Sequence, residues 1–64
     1  MSSIAGVAFQ IEPYDKVTVE GETYKVRTVV ISLSQDRVEF LGTGTNGKES
    51  RVVLKTDDPV EFIQ

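Results

Sequence analysis

The sequence predicts a small all-β fold, because three observations agree. Short runs of the chain are rich in β-branched and aromatic residues, which favour strands. Turn-forming residues separate these runs. Apolar and polar residues also alternate along several of them with the period of two that is typical of strands. The runs, each predicted as a strand, are residues 17–19, 24–33, 38–41, 52–54 and 60–63.

Length and composition place this chain among small single domains. Its 64 residues include no cysteine and no histidine, so neither disulfides nor the usual zinc ligands can supplement the core. A domain of this size buries only about 60% of the surface of its unfolded chain. Residues 1–64 are therefore expected to form one small β-barrel domain, in which residues 1–12 are an N-terminal segment or an extra strand.

Alternation indicates which side chains point into the core. Tyr24 and Val26 lie on one face of their predicted strand, so Lys25 and Arg27 lie on the other. The predicted core consists of the apolar members of each run. They are Val17, Val19, Tyr24, Val26, Val30, Val38, Phe40, Val52, Leu54, Val60 and Phe62.

The second predicted strand changes character along its length. Residues 29–33 carry apolar side chains on both faces. A long strand that bends and passes from one part of a barrel to another would explain this pattern. This interpretation places Val30 in the core and Val29 and Ile31 on the outside.

An Asn-Gly pair between two of the predicted strands indicates a hairpin. A two-residue loop would set a lysine beside the core face. A three-residue loop, residues 45–47, with its glycine in the left-handed conformation, instead pairs Phe40 with Val52 and Val38 with Leu54. The apolar register therefore predicts the three-residue loop.

Both ends of the chain are predicted to contribute strands. Pro59 has no amide hydrogen to donate and belongs at the start of a strand. Near the N-terminus, Val7, Phe9 and Ile11 alternate with small or polar residues, which predicts an extra strand that ends before Pro13. Each terminal strand is then placed to cover the edge of the other.

The predicted hairpin of residues 15–26 is followed by two further strands, a tight turn and a short last strand. In this arrangement residues 13–63 resemble the SH3-like small barrels, the Tudor, KOW and Sm-like group. The resemblance implies a five-stranded SH3-like barrel, with a sixth strand if the N-terminal run adds to it. Residues 17–27 are also similar to the opening hairpin of small phage head-to-tail connector and tail-completion proteins, which implies a structural role in a virion.

Charge is distributed unevenly along the chain. The net charge is −3, yet residues 25–55 hold six cations against three carboxylates, while the segments on either side are acidic. A basic stretch between two acidic ends is therefore predicted to form one face of the central strands. Its cations are Lys25, Arg27, Arg37, Lys48, Arg51 and Lys55.

Two classes of function are left open. In the first, the chain is a protein-interaction or assembly subunit. Its patch of outward apolar residues would bind a protein partner or a second copy, since monomers rarely expose such a patch. The predicted interface residues are Val29, Ile31, Leu41 and Val53. In the second, the six central cations contact nucleic-acid phosphates. The acidic ends repel a polyanion, so the first class is preferred.

Catalysis, cofactor binding and metal binding are not expected. The serines have no histidine to activate them, and the glycine-rich residues 42–48 lack the spacing of a phosphate-binding loop. Asp57 and Asp58 are expected to form a solvated turn, because a calcium loop needs more oxygen ligands than lie nearby. We expect no small-molecule substrate and no signal peptide or membrane span, and a cytoplasmic or virion-associated protein.

Overall fold

A computed structural model describes residues 3–64 and confirms the all-β prediction. Six strands form one antiparallel sheet in the order β1-β6-β2-β3-β4-β5. A single turn of 3₁₀ helix connects β1 to the segment before β2. The strands are β1 Ser3–Val7, β2 Lys16–Val19, β3 Glu22–Ser32, β4 Arg37–Gly44, β5 Glu49–Leu54 and β6 Pro59–Ile63, and the 3₁₀ turn is Ala8–Gln10.

The last strand closes back onto the first part of the chain. β6 lies between β1 and β2, with Phe62 opposite both Ile4 and Val17. Pro59 begins β6, as predicted, where its missing amide hydrogen costs no hydrogen bond inside the sheet. β1 therefore covers one edge of β6, and β1 and β5 remain at the ends of the sheet order.

The turn between β2 and β3 is a two-residue hairpin loop. Glu20 and Gly21 both have positive φ angles, 50° and 82°, and Val19 pairs with Glu22 across the loop. Two consecutive positive φ angles match the type I′ turn that suits the twist of adjacent strands. Glycine adopts this conformation freely, whereas glutamate at the first position is strained.

Replacing Glu20 by asparagine is expected to stabilise the fold by about 0.5 to 1 kcal/mol, because asparagine tolerates the left-handed conformation of this turn. Urea unfolding followed by circular dichroism measures the change. Glu20→Gln is the control, since it removes the same charge without the conformational preference. Equal stability of the two variants would contradict the turn assignment.

β3 contains the bend that the sequence indicates. The position of this bend reverses the prediction of which residues beyond it face the core. The register with β4 shifts between Val26 and Thr28, so Arg27 is the extra residue of a β-bulge. Beyond the bulge, Val29 pairs with Phe40 and packs against the core. The placement of Val30 in the core is wrong, since this side chain is 65% exposed.

The hairpin of β4 and β5 has the predicted register. Phe40 lies opposite Val52 and Val38 opposite Leu54. Gly47 has the left-handed φ angle of 80° that the three-residue loop requires. The amide of Gly44 donates to the carbonyl of Lys48 at 3.0 Å and closes the loop.

The core agrees with the predicted residues apart from Val30. Tyr24 and Phe40 contact edge to face in its centre, with ring centroids 5.6 Å apart. The fully buried apolar residues are Ala8, Ile11, Val17, Val19, Val26, Val38, Phe40 and Val60, with Tyr24, Val29, Val52, Leu54 and Phe62 packed against them. Of these, Ala8, Ile11 and Val29 were not predicted.

The N-terminal segment differs from its prediction. The extra strand exists, but it is Ser3–Val7, and the chain then turns through Ala8–Gln10 instead of continuing extended. The amide of Ala8 donates to the carbonyl of Asp58 at 2.9 Å, and that of Phe9 donates to the carbonyl of Thr56 at 3.0 Å. These bonds fix the turn over the end of the core. No helix within residues 3–64 has the length and apolarity needed to cross a bilayer.

Candidate interaction face

The outer surface of β3, β4 and β5 holds the largest group of predicted site residues. Strand pairing arranges their outward side chains in rows that run across the sheet. Val30, Glu39 and Val53 form one row, and Thr28, Leu41 and Arg51 form the next. The two rows are adjacent because outward positions alternate along each strand.

Glu39 lies in the middle of this surface and contacts two arginines. Arg37 donates from Nη2 to Oε1 of Glu39 at 2.6 Å. The Nη1 atom of Arg51 lies 3.8 Å from Oε2 of the same carboxylate. The side chain of Glu39 is only 23% exposed, so flanking side chains shield most of it from water. The carboxylate at the centre of the surface is therefore neutralised locally, and its two arginine partners leave the cluster with one net positive charge.

Apolar side chains surround this ion cluster. Val30 is 65% and Val53 is 52% exposed on either side of Glu39, and Leu41 is half-buried one row away. We call Val30, Glu39, Leu41 and Val53 the outer patch. Apolar side chains that lie together on the surface mark candidate protein-binding sites.

The predicted interface residues divide between the two faces of the sheet. Leu41 and Val53 lie on the outer face, as predicted. The outward placement of Val29 is wrong, because Val29 pairs with Phe40 and packs against the core. Ile31 pairs with Val38 on the same side of the sheet but remains 39% exposed. The bulge at Arg27 shifts the alternation by one residue, which turns Val30 outward in their place. A bulge gives no clear local signal in a run of apolar residues.

The predicted basic face is partly neutralised within the chain. Arg27 donates to Oε2 of Glu49 at 3.0 Å, and Arg37 and Arg51 contact Glu39. The three lysines of the predicted set, Lys25, Lys48 and Lys55, make no ion pair with any of residues 3–64.

One pair of like charges was not anticipated. Lys25 lies directly opposite Lys16 on the neighbouring strand β2. Like charges at directly opposed positions of an antiparallel pair are destabilising. Neither lysine makes an ion pair with any of residues 3–64.

The edge of β5 is open. Its backbone makes no hydrogen bond outside the β4 ladder within the described part of the chain. The opposite edge strand, β1, is partly closed, because the side-chain oxygen of Gln10 accepts the amide of Val7 at 3.1 Å. The outer patch therefore reaches an available sheet edge on the β5 side.

A hydrogen-bonded connection holds the two turns at one end of this face together. Asp36 has a positive φ angle of 51° in the turn before β4. Its carboxylate accepts hydrogen bonds from the hydroxyl and the amide of Thr56, in the turn after β5. These bonds to the charged form hold the pKa of Asp36 below its usual value. The ends of β3, β4 and β5 are thereby tied together.

The acidic turn after β5 has a structural role. Oδ2 of Asp58 accepts the amide of Lys55 at 2.9 Å, and the amide of Asp58 donates to the carbonyl of Lys55 at 3.1 Å. This arrangement is a side-chain-stabilised turn. Within residues 3–64, no group of three or more acidic residues is close enough together to hold a metal ion.

Comparison with known proteins adds no further assignment. No family model, no curated protein and no solved structure matches this chain.

Proposed function

We propose that this chain is a non-enzymatic assembly subunit that binds protein through the outer patch. The observation that carries the proposal is the exposure of Val30 and Val53 on either side of a carboxylate already neutralised by two arginines. Burial of Val30 and Val53 would supply the binding free energy. The two arginines keep Glu39 from being buried as an unpaired charge, which is the costly case.

The small size of the domain supports the same function. With no disulfide available, stability comes from a core of few side chains. Binding a partner in the folded state alone adds stability by mass action. The interface of an assembly subunit therefore adds stability that so small a core does not supply.

The resemblance to SH3-like barrels fits this proposal. A first hairpin, two further strands, a tight turn and a last strand that pairs back onto the first are the features expected of that group, and β2 to β6 follow this order. We propose an SH3-like barrel to which β1 adds a sixth strand. The similarity of residues 17–27 to phage connector hairpins makes a virion structural role the most specific form of the proposal.

Nucleic-acid binding is the second candidate, and the lysine pair of Lys16 and Lys25 favours it. Three of the six predicted phosphate contacts are arginines that already have carboxylate partners. Phosphate binding would have to compete with those ion pairs. The net charge of −3 also disfavours the approach of a polyanion.

Sedimentation velocity of the purified protein, alone and with a fluorescent DNA duplex, distinguishes the two functions. We expect the sedimentation coefficient of the protein to rise between about 10 and 500 µM, the range in which a weak interface becomes populated. We expect the duplex to sediment unchanged at about 150 mM salt. Duplex binding that weakens steeply with salt and is lost in Arg27→Glu/Arg51→Glu would make nucleic-acid binding the primary function.

Substitution of the patch tests the surface itself. Val30→Lys combined with Val53→Lys should weaken association at least about tenfold, since burying even one valine contributes more than the 1.4 kcal/mol that a factor of ten requires. Ser34→Lys combined with Thr45→Lys is the matched control, because it adds the same charge at exposed turn positions outside the patch. Equal association of the double variant and the parent would exclude the outer patch as the binding surface.

A further inference from the structure

We propose that a second copy of this chain pairs with the open edge of β5, antiparallel and about a two-fold axis that passes beside Val52. The inference rests on the proposed assembly function, and it names a second copy as the partner at the sheet edge beside the outer patch. Edge-to-edge pairing would continue the sheet from one copy into the other and satisfy the free backbone groups of both β5 strands.

Symmetry restricts how two β5 strands can meet. Directly opposed residues of an antiparallel pair point to the same face of the sheet. A two-fold axis perpendicular to the sheet therefore opposes outer residues only to outer residues, and core-side residues only to core-side ones. In β5 the outer residues are Glu49, Arg51 and Val53, opposite outward positions of β4.

Two registers give the longest overlap of β5 with itself under this restriction. One is centred on Arg51 and sets Arg51 against the partner's Arg51. The other is centred on Val52 and sets Arg51 against the partner's Val53. Opposed like charges destabilise an antiparallel pair, so the first register is disfavoured.

The register centred on Val52 also provides charge complementarity. It brings Glu49 opposite the partner's Lys55, and the two-fold axis repeats this pair at the other end of the interface. Glu49 already accepts a hydrogen bond from Arg27 of its own copy at 3.0 Å, so the partner's lysine would be its second cationic partner. Lys55 has no ion-pair partner within residues 3–64. Opposite charges at opposed positions contribute about 0.2 to 1 kcal/mol each, and they distinguish this register from its neighbours.

The outer patches of both copies would then lie on one continuous surface. The row of Val30, Glu39 and Val53 would continue into the partner's Arg51. The aliphatic stem of that arginine would cover the exposed side of Val53. Pairing at this edge therefore joins two small patches into one larger surface on the same side of the sheet.

Cysteine crosslinking tests the register, because the natural sequence contains no cysteine. Val52→Cys would lie opposite itself, about 4.5 to 5.5 Å apart between Cα atoms, which a disulfide can span. Ser50→Cys is the control, because in this register Ser50 lies opposite the partner's Leu54. The two introduced cysteines would then be too far apart to form a disulfide. Under mild oxidation we expect at least about tenfold more crosslinked dimer for Val52→Cys than for Ser50→Cys.

A second pair of variants avoids the half-buried position of Val52. Arg51→Cys mixed with Val53→Cys should crosslink as a heterodimer, while each alone should not. Both positions are exposed, so neither substitution disturbs the core. Efficient crosslinking of Arg51→Cys alone would overturn the proposed register in favour of the one centred on Arg51.

Charge reversal provides an independent readout by sedimentation. Lys55→Glu should weaken self-association several-fold, and Glu49→Lys/Lys55→Glu should restore it. Both are made in an Arg27→Ala background, because Arg27 pairs with Glu49 within one copy and would repel a lysine at that position. Concentration-dependent sedimentation of the parent without selective crosslinking would overturn the β5 pairing and leave the assembly function in place. A parent that stays monomeric at about 500 µM, a concentration at which even weak dimers form, would overturn self-association as a whole.

Discussion

Replacing Phe40 by alanine is expected to unfold most of this domain at room temperature. Phe40 is 1% exposed and contacts the ring of Tyr24 edge to face. Truncating a buried phenylalanine costs about 3 to 5 kcal/mol. A single core in a chain of this size supplies roughly 3 to 5 kcal/mol in total, so the substitution removes nearly all of the stability.

Thermal unfolding followed by circular dichroism measures this effect. Val30→Ala is the matched control, because Val30 lies on the same sheet but points outward. We expect the control to change stability by less than about 0.5 kcal/mol. If Phe40→Ala melted within about two degrees of the parent, the shift expected of a surface substitution, Phe40 would not be at the centre of the core.

Replacing Ile11 by alanine should destabilise the protein by about 2 to 5 kcal/mol, the range for large aliphatic residues in cores. Ile11 is 2% exposed, although it lies in a segment without strand structure. It covers the core together with Ala8, to which it is joined by a backbone hydrogen bond of 3.1 Å.

Phe9→Ala distinguishes this arrangement from the extended strand that alternation predicts. An extended segment would bury Phe9 and Ile11 on the same face. In the 3₁₀ turn Phe9 is 49% exposed, so its truncation should cost less than about 1 kcal/mol. Urea unfolding of both variants measures the contrast, and similar losses of stability for the two would support the extended strand.

The N-terminal segment shows why alternation can mislead. Val7, Phe9 and Ile11 fit a period of two, but the buried residues are Ala8 and Ile11, three apart. In a 3₁₀ turn residues i and i+3 lie on the same side, which matches this spacing. The choice between an extended strand and the 3₁₀ turn depends on the carbonyls of Thr56 and Asp58, which accept hydrogen bonds from the amides of Phe9 and Ala8. Those acceptors are distant in sequence, so the residues next to Phe9 and Ala8 cannot predict these hydrogen bonds.

The candidate interaction face was predicted in part for a related reason. Leu41 and Val53 follow from regular alternation in β4 and β5, which contain no irregularity in their pairing. Val29, Val30 and Ile31 were assigned to the wrong faces, because a single inserted residue at Arg27 reverses the alternation beyond it. In a run that is apolar at every position, sequence contains no information on which alternate set faces the core.

The sequence by itself determined the all-β class, the register of the hairpin between β4 and β5, and nearly all of the core. These features depend on neighbouring residues along the chain, on the period-two pattern and on the conformational preference of Gly47. Only the tertiary structure decided the faces of β3, the turn at Ala8–Gln10 and the pairing of Glu39 with Arg37 and Arg51. These features depend on a bulge and on contacts between segments that are distant in sequence. Such contacts form only when the strands pair, so a local sequence pattern does not predict them.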